Sequence, residues 1–163
     1  MAHLFLDIET LPGPERPSLN SIQAPANYKD PAKIQSYKES KLEEAYRAQA
    51  LDSMQGRLLC LAWAVDSEPV QAMCVGLGSI ETEQDLLQEL EAKLLELPED
   101  LNQLVWVGHN LRAFDLPWLW RKALQYRLWD LARLIPRARY DKRIQDTLEL
   151  WQADYRDKVG LQA

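Results

Sequence analysis

Apolar and polar positions alternate along Leu4-Phe5-Leu6-Asp7-Ile8-Glu9, so Leu4, Leu6 and Ile8 fall on one face of a strand and Asp7 and Glu9 on the other. That pattern predicts a buried strand over residues 3–9. A second strand is predicted from Arg57 to Val65, after Gly56, and a third from Val70 to Val75, joined to it by the turn Asp66-Ser67-Glu68-Pro69. The period then lengthens. Leu86, Leu87, Leu90, Leu94 and Leu97 recur at helical spacing, with Ser79 or Thr82 as the N-cap and Pro98 as the stop. Leu104 to Val107 reads as a fourth strand, and Gly108 turns the backbone out of the sheet. Helices are predicted from Leu116 to about Tyr126, over Trp129 to Leu134, and from Asp146 through Trp151.

Residues 11–36 interrupt this order with Pro12, Pro14, Pro17, Pro25 and Pro31 and predict an irregular excursion, followed by an exposed helix over 38–51. Residues 11–50 therefore form a loop-and-helix insertion, of the kind that covers a site or moves. Three hairpin-linked strands and then alternating helix and strand predict an α/β fold, a mixed sheet flanked by helices.

Length adds that 163 residues make one domain, expected over 1–163. No apolar run is long enough for a membrane helix, and the first residues lack a secretory pattern. A cytoplasmic protein is expected, with Cys60 and Cys74 as reduced, buried thiols; a disulfide between them is the alternative, since their strands could be neighbours. The net charge of −6 is unevenly spread, because residues 112–143 hold 9 Lys or Arg against 3 Asp or Glu. Such a segment suits a polyanion, or else forms a solvated face paired to glutamates.

Asp7 and Glu9 change the picture further. Two acids side by side on a core strand repel each other and resist desolvation unless a cation lies between them. Carboxylate oxygens favour hard divalent ions. A third acid, Asp115, closes the stretch Gly108-His109-Asn110-Leu111-Arg112-Ala113-Phe114-Asp115 about a hundred residues later.

The pair "LDIET" and "VGHNLRAFDLPWL" resembles the first two motifs of the DEDD superfamily of 3′–5′ exonucleases, whose fold is ribonuclease-H-like. The chain is similar in particular to the predicted exonucleases related to the proofreading domain of family B DNA polymerases; "GRLLCLAWA" and "DTLELW" fall where that group carries similar segments. The resemblance spans nearly the whole chain outside 11–50. It implies hydrolysis of single-stranded DNA from 3′ ends, with RNA as another substrate class, by two Mg²⁺ or Mn²⁺ ions. By the same resemblance, Asp7 bridges both ions, Glu9 binds the one that activates water, and Asp115 holds the other. Thr10, Leu11, His109, Asn110 and Phe114 match positions near the substrate. A fourth aspartate and the His or Tyr before it, which form the third motif, are not matched, so the domain is expected to be C-terminally incomplete. Asp154 and Asp157 are weak substitutes. A non-catalytic nucleic-acid-binding module and a different ribonuclease-H-like nuclease, endonucleolytic or RNA-trimming, are the competing readings.

Asp146 reads first as a helix N-cap and second as a residue beside the site. His109 reads as a structural or substrate-contacting residue rather than a general base. Of the six tryptophans, Trp63 and Trp106 are expected in the core; Trp118 and Trp120 cannot share a helix face, and one of them or Trp129 is a candidate for stacking on a base or for an oligomer contact.

Overall fold

Strand β1 (His3–Leu11) buries Leu4, Leu6 and Ile8 and exposes Phe5, Asp7 and Glu9, which is the predicted alternation. The computed structural model describes residues 2–97, 100–138 and 140–152. Pro98, Asp154 and Asp157, singled out above, lie outside them, as does Arg139 of the basic segment 112–143. β2 (Arg57–Val65) and β3 (Gln71–Cys74) pair as an antiparallel hairpin, with Cys60 opposite Cys74. β4 (Val105–Gly108) and β5 (Ile144–Asp146) run parallel to β1. The five strands stand in the order β3-β2-β1-β4-β5, a mixed sheet flanked by helices and compatible with a ribonuclease-H-like fold.

Helix α1 spans Pro31–Ala48, α2 Glu83–Leu95, α3 Asp115–Gln125, α4 Trp129–Leu134 and α5 Thr147–Gln152. The Thr82 hydroxyl accepts from the Asp85 N–H while the Asp85 carboxylate accepts from the Thr82 N–H, a reciprocal cap that fixes the start of α2. Leu86, Leu87, Leu90 and Leu94 are its buried stripe. They meet Trp106, Trp118, Leu119 and Leu131 in a single core beside β1 and β2. Trp63 and Trp106 are core residues, as expected.

Three expectations need correction. Helix α1 starts well before residue 38, because Asp30 caps it by accepting from the Ala32 N–H at 3.0 Å and Pro31 opens its first turn. Strand β5 was not predicted; three residues carry too little alternation to read. Cys60 and Cys74 are half-buried and joined in a disulfide, with Cα atoms 4.1 Å apart across the hairpin.

The chain divides into two compact units, one of Thr10–Arg57 and one of the remainder. Within the smaller unit, the Thr10 hydroxyl donates to the Ala50 carbonyl at 2.6 Å and the Arg57 Nε donates to the Pro12 carbonyl at 3.2 Å. Glu43 there accepts from Arg16 and Arg47, both at 3.1 Å, and Arg16 lies over the Tyr46 ring. In the larger unit, Glu83 accepts from Lys122 at 2.9 Å, from the Tyr126 hydroxyl at 2.7 Å, and from the Leu58 N–H. Lys122, expected on a basic surface, is thus a buried charge with its counter-ion.

Candidate active site

The chain runs outward from β1 to β2 and β3, then crosses back to lay β4 on the other side of β1. In open α/β sheets, such a reversal leaves a crevice beyond the carboxyl ends of the two strands, and ligands bind there. Asp7 and Glu9 sit toward that end of β1, Gly108 to Asn110 leave the end of β4, and Asp146 ends β5.

Gly108 allows this crowding. A Cβ on it would stand 2.7 Å from the Leu6 carbonyl oxygen and 2.9 Å from Leu111 Cδ1, so close approach of β1 demands glycine here rather than an unusual turn. Asn110 follows with φ of +58°, a left-handed conformation that Asn tolerates better than most residues. The Asp146 carboxylate then holds the turn. One oxygen accepts from the Asn110 N–H at 2.8 Å and the Leu148 N–H at 3.0 Å; the other accepts from the Arg112 N–H at 2.9 Å. Asp146 therefore caps α5, as the sequence indicates, and also clamps the loop that carries His109, Asn110 and Phe114.

Asp115 opens α3 and is 3% exposed. Its carboxylate accepts from the Ile8 N–H at 3.2 Å, which fixes it against the stretch of β1 between Asp7 and Glu9. Burial pushes its carboxyl up to about 7; the negative charges of Asp7 and Asp146 push the same way, against the N–H groups of Asp115 itself and Ile8. Asp7 and Glu9 are exposed. The donors gathered here are carboxylate oxygens, the chemistry that Mg²⁺ or Mn²⁺ favours. Among the described residues, no three His, Cys, Asp or Glu side chains stand close enough to enclose an ion. Asp7, Glu9 and Asp115 thus fit such an ion by donor type, as an open arrangement and not a closed cage.

The Thr147 hydroxyl lies 3.2 Å from the Gly108 carbonyl, to which it donates, and 3.1 Å from His109 Nδ1, with which it shares a hydrogen bond. His109 and Asp7 line a cavity of about 350 Å³, together with Phe5, Trp63, Val70 and Val107. Its size and largely apolar wall suit a nucleobase or sugar. Thr147 and the apolar lining were missed from the sequence; Phe5 at least was legible, because it shares the exposed face with Asp7. Phe114 is half-buried and packs on the core. Thr10 and Leu11 belong to the smaller unit.

No protein-family model and no curated protein matches the chain. Among solved structures it is similar to the family B DNA polymerase from the hyperthermophilic archaeon Pyrobaculum calidifontis, at 16% identity and a TM-score of 0.40. The match covers 83% of this chain and 12% of that one, so the chain spans about an eighth of the polymerase.

Proposed function

We propose that this chain is a metal-dependent 3′–5′ exonuclease domain acting on single-stranded DNA ends. The observation that supports this reading most is the position of Asp115, whose carboxylate is hydrogen-bonded to the backbone between Asp7 and Glu9 although burial, and after it the charges of Asp7 and Asp146, raise its pKa. Asp7, Glu9 and Asp115 would hold the metal. Mg²⁺ or Mn²⁺ held there would supply activation of a water and charge stabilisation for a phosphodiester under attack.

The chain's own groups do the positioning. The Asp146 clamp fixes the backbone of the loop that carries His109 and Asn110 beside the strand ends. The cavity beside Asp7 receives the terminal base, and Phe114 adds a contact to the last nucleotide. A cytoplasmic site of action belongs to the same reading; there the Cys60–Cys74 bond would meet thiol reductants. No helix among the described residues is long and apolar enough to cross a membrane.

A second reading is a nucleic-acid-binding module of the same fold without turnover. The absence of a three-ligand cluster among the described residues favours it. A 5′-labelled single strand incubated with Mn²⁺ separates the two. The exonuclease yields a ladder shortening from the 3′ end, lost in Asp7→Ala and Asp115→Asn. Binding without cleavage supports the module, and cutting of a circular strand would replace both with an endonuclease.

A further inference from the structure

The basic segment 112–143 is not one charged face. Lys122 is buried against Glu83, Arg143 pairs with Asp141 at 2.9 Å, Arg133 with Asp130 at 3.3 Å, and Arg112 with Glu149 at 3.1 Å. Arg121, Arg127, Arg137 and Lys142 are exposed, and no ion pair with a described acidic residue involves them. Two of these four converge on one groove.

Helix α3 presents Pro117, Trp120, Arg121 and Leu124 along one face, at the spacing of successive turns. Its other face carries the buried Trp118, Leu119, Lys122 and Ala123. Arg121 and Arg137 line a cavity of about 340 Å³ whose wall includes Trp120, and which begins at Leu116, next to Asp115. A second cavity of about 220 Å³ adjoins it, sharing Trp120 and Arg137 and adding Trp129 and Arg133. The Arg137 guanidinium lies 4.8 Å over the Trp120 ring, so an aromatic face rather than a carboxylate holds it and its charge is left to an outside anion. Trp129 is 55% exposed at the far end, which leaves ring surface on which a base can stack.

We infer that this groove is a binding track for single-stranded nucleic acid, with Arg121 and Arg137 on phosphates and Trp129 as a stacking platform for a base. Alternating cations and aromatic faces suit a single strand, whose bases are unstacked and whose backbone is charged; a duplex offers no such free bases. The track deepens the exonuclease reading by supplying a second hold on the substrate beyond the carboxylates. It does not depend on metal, which makes it testable alone.

The test is fluorescence anisotropy of the full 163-residue chain with dT12, rU12 and a blunt 12-base-pair duplex, in EDTA across a salt series. Expected is preference for at least one single strand over the duplex, the stronger of the two identifying the sugar. Arg121→Ala with Arg137→Ala should reduce the salt slope by about 1.4, two phosphates at roughly 0.7 each. Trp129→Ala should weaken binding about tenfold with the slope kept, from the loss of one stacked base. Lys93→Ala, on helix α2, should change neither. All four substituted residues reach the surface, and unchanged melting curves of the three variants verify folding. Equal affinity for the duplex, or an unchanged slope together with unaffected Trp129→Ala binding, would overturn the track. A 3′ ladder with no oligonucleotide binding in EDTA would sink the track and leave the exonuclease reading; binding with no ladder would do the reverse.

Discussion

Two buried charge clusters in the larger unit solve the same problem in opposite ways. Around Glu83, the chain supplies its own cation: Lys122 sits 2.9 Å away, Trp118 lies under the ammonium, and Tyr126 and the Leu58 N–H complete the carboxylate's partners. Around Asp115, it supplies more negative charge instead, from Asp7 and Asp146, against backbone relief from the N–H groups of Ile8 and Asp115 itself. The first cluster is a completed structural joint between α2, α3 and β2. The second is left short of positive charge at the strand ends where a ligand would enter. The difference teaches where to look for an external cation: beside the acids that form no ion pair with a lysine or arginine among the described residues.

The largest expected effect breaks the completed cluster. Glu83→Ala strands a buried lysine and should cost roughly 3–5 kcal/mol, read from urea denaturation; a loss below about 1 kcal/mol would show that the pair is not holding the helices. Asp146→Ala leaves the Asn110, Arg112 and Leu148 N–H groups without their acceptor and should cost roughly 2–3 kcal/mol. Asp146→Asn keeps one accepting oxygen and should cost about half as much, with the carbonyl placed toward Asn110 and Leu148.

The unfinished cluster should respond to pH and metal. Asp115 is raised in the fold from 3.8 to about 7, so between those values the native state holds a proton that the unfolded chain has released. Its contribution to stability is therefore greatest near pH 4 and below, declines as pH rises toward about 7, and then levels. Asp115→Asn should remove that decline from a series of melts. Mn²⁺ at pH 8 should raise the melting temperature of the wild type and not of Asp7→Ala, and an equal rise in both would place the ion elsewhere. The smallest effect is Asp7→Ala without metal. Relief of repulsion should leave stability unchanged or better by roughly 0.5 kcal/mol, and a clear fall in melting temperature would contradict the comparison.

The sheet was legible where burial imposes a period. β1 declares itself through Leu4, Leu6 and Ile8, and β2 has the predicted bounds because Gly56 and Asp66 punctuate it. β5 was not, since Ile144, Gln145 and Asp146 are too few to show a face; their strand exists only through β4. Asp7, Glu9 and Asp115 stood out because acids beside core residues are conspicuous. The Asp146 clamp did not, because its partners are backbone N–H groups of a loop 34 and 36 residues away, and any sequence offers those. Lys122 was misread as surface charge for a related reason: only the fold shows that its helix face meets Glu83.

The Cys60–Cys74 bond bears on how the hairpin survives. β3 is four residues long and lies at the border of the sheet, with one side unpaired among the described residues. So short a ribbon would be the first part to peel away, baring the flank of β2 for stitching to another copy. Sulfur fastens that hem to its neighbour, so intermolecular strand exchange at this border first requires a reductant.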